Sequence, residues 1–386
     1  MNRAAAQLSA FLTAAICGPL VLAAAATACP FCDALQPTFA ERRAEADVVI
    51  FAEATSRATF RVLQVPQGRD EFGDAATVAV APPRDAGAEK SSIAVGGLAL
   101  LLGRRIRESD WLWDVVEVNE VSAAYFLRLP DSRQPAVDRL RYCAKFLEHA
   151  DPAIAEDAYA EFGRASFDDV RAAADALPFE SLRRWMLDPA VPERRKGFYG
   201  LALGLARDEA VLRENTALLR RLIALPASEF RAGFDGVLGG LLTAEGAAAL
   251  DLIDRQILTH PQAAEGDVRH AQKALQFYLQ YGRDVPDDRL AKSLTLLLDR
   301  PAAAPGALAD LTRRRDWTFV ARSEKLFVDS PGDDPALDRA VVGYLLVCPK
   351  PEAAAALRRL REAHPRRYAE GEYYWATLGI QPRSGD

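Results

Sequence analysis

Two textures of hydrophobic patterning divide this chain. Between residues 48 and 129 the apolar positions come in short runs, separated by polar and turn-forming stretches. Val48-Val49-Ile50-Phe51 and residues 58–65, 77–81, 98–102, 115–118 and 124–129 are rich in Val, Leu, Ala and aromatics. Within 58–65 the period is two: Phe60, Val62 and Gln64 fall on one side, Thr59, Arg61, Leu63 and Val65 on the other. Such alternation marks a strand with two different faces. Pro66-Gln67-Gly68-Arg69-Asp70 and residues 82–92 are turn-type separators, and Val95-Gly96-Gly97 reads as a turn or a strand-bending bulge. Five or six short strands in about 85 residues predict a small antiparallel barrel or sandwich.

After a polar, proline-flanked linker at 131–136 the period becomes helical. Val137, Leu140, Ala144 and Leu147 share a face, and Asp151-Pro152 has the order of a helix cap followed by a first-turn proline. Leu290, Leu294, Leu297 and Leu298 form an i, i+4, i+7, i+8 stripe. A longer rhythm overlies these helices. X-Pro dipeptides stand at Asp188-Pro189, Leu225-Pro226, His260-Pro261, Arg300-Pro301, Ser330-Pro331 and His364-Pro365, with gaps of 37, 35, 40, 30 and 34 residues. Arg195-Lys196-Gly197-Phe198 recurs 36 residues later as Arg231-Ala232-Gly233-Phe234, with a weaker echo at Arg269-His270-Ala271. Leu-rich second helices are expected at 211–223, 247–258, 290–298 and 353–360. Repeats of this length bury their apolar faces by stacking on neighbours, so about six hairpins of a HEAT-like α-solenoid are expected over 137–386.

The N-terminus reads as an export signal over residues 1–28. Arg3 is followed by an apolar run of 16 residues (11–26), and Ala26-Thr27-Ala28 forms an A-x-A site before Cys29. The run is short for a membrane span of about 20 residues. An uncleaved anchor and lipidation at Cys29 are the alternatives. An exported protein, periplasmic or secreted, is expected, with membrane attachment only through a lipid on Cys29. The 386 residues carry a net charge of -6, which argues against nucleic acid as a partner.

Candidate chemistry is sparse. Cys29-Pro30-Phe31-Cys32 has redox-motif spacing, yet no strand precedes it and no βαβ pattern surrounds it. A structural disulfide, a redox pair and a lipidated Cys29 all stay open, and connectivity among Cys29, Cys32, Cys143 and Cys348 is not fixed by sequence. Cys143 and Cys348 read as buried small hydrophobes. His149, His260, His270 and His364 have no ligand-spaced partners and read as surface or capping groups, so neither a metal nor a cofactor is expected. Gly197, Gly200 and Gly204 lie in an apolar helical stretch and read as close helix packing. Asp333, Asp334 and Asp338 lack calcium-loop spacing. Arg313-Arg314-Arg315 reads as a solvated face. The aromatics Tyr373, Tyr374 and Trp375 read as cover for the last hairpin or as a peptide-binding site.

From Cys29 to about His364 the chain resembles a family of exported bacterial proteins of unknown function. Cys29-Pro30-Phe31-Cys32, Thr38, Glu41 and Ala46-Asp47-Val48-Val49 carry the resemblance, with Asp157-Ala158-Tyr159, Glu161-Phe162 and Ala165 further on. The family pattern has a Lys-Gly turn where this chain has Pro66-Gln67-Gly68. The resemblance implies an OB- or netrin-like barrel followed by HEAT-like helices, and supplies no activity. By analogy with netrin-type domains, Cys29 or Cys32 would tie the chain end onto the barrel.

The resulting expectation is an α+β multidomain protein, with a small antiparallel β-barrel at 29–130 and an α-solenoid at 137–386. Its expected role is binding or scaffolding of a protein or peptide on the helical surface. The alternative is a thiol–disulfide oxidoreductase using Cys29 and Cys32.

Overall fold

The computed structural model describes residues 36–80, 93–107, 110–225, 231–282, 284–332 and 334–380. Thr38 opens α1 (Phe39–Ala44) with a capping box: its hydroxyl accepts from the Glu41 N–H, and the Glu41 carboxylate accepts from the Thr38 N–H. Five strands follow: β1 (Val48–Ala54), β2 (Thr59–Gln67), then, after the short helix α2 (Arg69–Phe72), β3 (Thr77–Ala79), β4 (Leu98–Arg105) and β5 (Trp111–Val118). Val95 and Gly96 form the turn that leads into β4.

The strands pair antiparallel in the order β3-β2-β1-β4-β5. Irregular register between Val49 and Ala52 against β2 curls the sheet, because a bulge adds local twist. Both faces of the central strands are buried. Val49, Leu100 and Leu102 face the helices together with Phe39 and Phe126. Val48, Ile50, Ala52, Phe60, Ala99 and Leu101 fill the inside of the curl. The result is a curled five-stranded half-barrel, which meets the expectation of a small antiparallel barrel in part. Among the described residues β3 has only three residues and pairs only with β2, so it does not close the sheet onto β5.

The sixth expected strand, at 124–129, is helical instead. Helix α3 (Glu120–Arg128) starts at Asn119, whose side chain accepts from the N–H groups of Val121 and Ser122 while the Ser122 hydroxyl accepts from the Asn119 N–H. This capping box fixes the period, and Ser122, Ala123, Tyr125 and Phe126 become the buried face.

The chain then continues as helices: α4 (Ala136–Cys143), α5 (Pro152–Arg164), α6 (Phe167–Ala172), α7 (Phe179–Leu187), α8 (Glu193–Leu203) and α9 (Glu209–Ala224). They are followed by α10 (Phe234–Glu245), α11 (Ala247–Ile253), α12 (Glu265–Tyr281), α13 (Asp287–Leu296), α14 (Ala304–Arg313), α15 (Val320–Asp329), α16 (Pro335–Val347), α17 (Pro351–Ala363) and α18 (Pro365–Thr377). From α8 on, each even-numbered helix packs on the next even-numbered one, giving a continuous row α8-α10-α12-α14-α16-α18. The odd-numbered helices pack against that row, and α7 with α9, α11 with α13 and α15 with α17 touch each other. Pro189, Pro261, Pro301 and Pro331 each stand just before a helix of the row, and Pro365 is the first residue of α18.

Two devices hold the row together. The first is close backbone approach between α8 and α10. Gly197, Gly200 and Gly204 recur after 36 residues as Gly233, Gly236 and Gly240, and the two sets interlock. A Cβ on Gly236 would lie 1.8 Å from the Gly197 carbonyl oxygen, and one on Gly240 would lie 2.0 Å from that of Gly200. The packing role expected for Gly197, Gly200 and Gly204 is the one observed.

The second device is an arginine that satisfies the orphan carbonyls at the end of a preceding helix. Arg231 donates to the carbonyls of Leu222 and Leu225 at the end of α9, at 3.1 and 3.2 Å, and grips Asp267 of α12 bidentately. Arg367 donates to Phe327 O and Ser330 O at the end of α15 and pairs with Asp338 of α16. Arg300 donates to Ile257 O and Leu258 O, closing the π-helical turn Asp254–Leu258 that ends α11. Arg195 reaches Leu147 O and pairs with Glu148 and Glu156.

Candidate functional site

Cys29 and Cys32, the candidates for redox, disulfide and lipid chemistry, lie outside the described residues, as does the expected leader at 1–28. Cys143 and Cys348 are buried free thiols in α4 and just after α16. Among the described residues there is no disulfide, and no group of three His, Cys, Asp or Glu side chains could hold a metal ion.

The histidines serve local structure. His149 and His260 accept backbone N–H bonds two residues on, from Asp151 and Gln262, and His364 lies between α17 and α18 against the Phe327 ring. His270 departs from the surface role expected. It is buried in α12, with Nδ1 3.5 Å from Asp235 Oδ2 and its ring edge-on to Phe234. Asp334 caps α16, Asp338 pairs with Arg367, and Arg313 and Arg314 pair with Asp310 and Asp287. Asp334, Asp338, Arg313 and Arg314 are thus occupied by internal contacts, and Asp333 lies outside the described residues.

The residues of α5 that carry the resemblance converge where sheet and helices meet. Asp157 accepts the Phe39 N–H at 2.6 Å and the Tyr125 hydroxyl at 2.9 Å. That hydroxyl is 3.5 Å from Cys143 Sγ. One turn on, Glu161 accepts from Arg139 Nε at 3.2 Å, and Arg139 also donates to Ser132 O and Gln134 O in the linker. The cluster therefore fastens α1, α3, α4 and the linker to α5. Burial raises the Asp157 carboxyl to about 6, and burial pushes the Tyr125 hydroxyl and Cys143 thiol well above their ordinary values. A neutral, enclosed thiol is a poor nucleophile, and the hydrogen bonds make the cluster a fastener.

That fastener has a pH signature. The folded Asp157 carboxyl holds its proton up to about pH 6, whereas in the unfolded chain it lets go near its ordinary value. Between those two points the native state binds more protons, so stability falls as pH rises. The full effect is at most about 3 kcal/mol. Denaturant melts at pH 4 and pH 7 check it. Asp157→Asn is expected to flatten this part of the pH–stability curve, and a variant curve parallel to that of the parent would refute the assignment.

Two clefts lie at the end of the helical row. A cleft of about 240 Å³ lies between the end of α16 and α17, with Leu345, Leu346, Leu357 and Tyr368 in its wall and Lys350, Arg358 and Arg361 as its charged lining. A second, of about 290 Å³, lies between α16 and α18 and includes Arg339, Glu370, Tyr373 and Tyr374. Trp375 covers the hairpin: its indole sits over Gly343, and its Nε1–H donates to Arg339 O at 2.7 Å. Tyr373 and Leu378 stay exposed at 73% and 58%. The tail thus divides between the two roles considered for it, with Trp375 as cover and Tyr373 and Tyr374 on open surface. A third cleft, of about 580 Å³, lies among α1, the turn after β2 and residues 131–133. Its charges are of both signs, and Asp131 is held by Arg133, whose guanidinium keeps that carboxyl far below the usual range.

Sequence patterning did not single out Lys350, Arg358, Arg361 or Tyr368. The arginine-rich stretch of α17 reads as an ordinary solvated helix face until the position of α16 is known. No family model, curated protein or solved structure matches the chain.

Proposed function

We propose that this is an exported binding or scaffold protein whose helices form a HEAT-like α-solenoid presenting a surface to a protein or peptide partner. In this reading the half-barrel is an OB- or netrin-like domain, and the chain belongs with the exported proteins it resembles. One observation carries the proposal. Leu187, Leu225 and Val328 are large apolar side chains left about half exposed at equivalent places, the C-terminal ends of α7, α9 and α15. Single exposed leucines need no explanation, but recurrence at the same end of three odd-numbered helices is the kind of feature a repeat protein uses to build a contact surface. The buried polar side chains support the same reading, since many of them are committed to clamps and fasteners that fix the scaffold.

The test is site-specific photo-crosslinking in the host cell, with a photoreactive phenylalanine at Leu187, Leu225, Val328 or Tyr373, and at Leu112 on the sheet as comparison. Adducts of one common partner at the helical positions are expected. Absence of adducts there, or adducts confined to Leu112, would overturn the reading. The alternative, thiol–disulfide exchange at Cys29 and Cys32, rests on their spacing alone.

A further inference from the structure

We infer that the cleft between α16 and α17 is the anchor point for an acidic peptide segment, with one apolar side chain of that segment seated in it. The inference rests on the binding reading above and names the partner's chemistry.

Three features of the cleft carry it. The first is charge. Its charged lining residues, Lys350, Arg358 and Arg361, are all basic, on a chain whose net charge is -6. Lys350 donates to Trp317 O at 2.9 Å, and Arg361 is held by Glu372 and the Tyr368 hydroxyl. Arg358 is exposed and has no hydrogen bond or ion pair among the described residues, so its guanidinium is available to a carboxylate. The first turn of α17 lines the same cleft through Pro351 and Ala354 and has no side-chain cap, which adds the positive end of a helix.

The second feature is an apolar wall, formed by Leu345, Leu346, Leu357 and the Tyr368 ring. An inorganic anion would gain nothing from it. An apolar side chain placed there would be removed from water at about 25 cal/mol per Å² of its surface.

The third is size and rigidity. About 240 Å³ is below the roughly 300–1,000 Å³ of small-molecule sites and suits a side chain. A bilayer surface cannot enter a gap between two helices. Pro349 and Pro351 fix the backbone on either side of Lys350, so the rim is set before the ligand arrives and little ordering entropy is lost on binding.

The probe is a short fluorescein-labelled peptide of alternating glutamate and leucine, read by polarisation with the full chain. Comparisons are the same peptide with lysine for glutamate, one with alanine for leucine, and phosphatidylglycerol vesicles. The acidic leucine peptide is expected to bind, to weaken with salt, and to outbind both other peptides. Arg358→Glu and Ala354→Trp should each weaken it by about tenfold or more. The first reverses the rim charge, the second fills the cleft, and a thermal melt confirms that each is folded. No binding of the acidic peptide, equal binding of the lysine peptide, binding to vesicles instead, or indifference to both variants would each overturn the inference. Crosslinking along the helical row decides the broader reading separately. A partner found there while the cleft variants bind normally removes this inference and leaves that one.

Discussion

Gly236→Ala is expected to destabilise the protein by about 3 kcal/mol, the upper end for overpacking, which for a folding unit of this size lowers the melting temperature by roughly 6–12 °C. The added methyl would sit 1.8 Å from the Gly197 carbonyl oxygen and 2.5 Å from its carbon. The obstacle is backbone, so no rotamer change relieves it, and α8 and α10 would have to move apart. Separation would also loosen the contacts of α10 with α9 and α12, because interiors transmit strain instead of absorbing it. In an isolated helix the same change would favour folding, since alanine is the better helix former by about 1 kcal/mol. The sign of the effect therefore separates the two accounts. Calorimetry that gave an unchanged or raised melting temperature would show that the two helices do not meet backbone to backbone.

Arg231→Ala is expected to cost about 3 kcal/mol or more, the range for breaking a buried ion pair from one side. The loss has three parts. The Asp267 carboxylate would remain nearly buried without its bidentate partner. The carbonyls of Leu222 and Leu225 would lose a donor. The guanidinium, 3.5 Å from the centre of the Phe234 ring, would no longer cover that ring. Arg231→Met with Asp267→Leu should recover much of the loss, because replacing both partners leaves no orphaned charge. A double-mutant cycle in denaturant supplies the coupling, and additive single effects would show that Arg231 and Asp267 do not act as a pair.

The rhythm of the helical region was legible because backbone chemistry imposes it. Proline cannot continue a helix, and among the described residues the X-Pro positions accordingly stand at or just before the starts of helices of the row. The Arg195-Lys196-Gly197-Phe198 repeat was legible for a similar reason: glycine inside an apolar helix is costly unless a close neighbour requires it. The clamp made by the same arginines was not legible, since an arginine at a helix start looks solvated until the carbonyls it meets are placed by a different helix. Residues 124–129 were misread because Ala124, Tyr125, Phe126 and Leu127 suit either a strand or a buried helix, and the local capping box at Asn119 and Ser122 decides between them. The cleft beside α17 depends on the relative placement of α16, α17 and α18, which no single segment encodes.

A binding role with a structural cysteine start can be set directly against an oxidoreductase by measuring the reduction potential of Cys29 and Cys32. The full chain, expressed in an oxidising compartment, would be equilibrated in thiol buffers, alkylated and weighed intact. The same spectrum would show any cleavage before Cys29 and any lipid on Cys29. A binding role predicts a potential below about -300 mV, or no bond between the two cysteines. A potential of roughly -120 to -270 mV, in the range of thiol–disulfide enzymes, would contradict it.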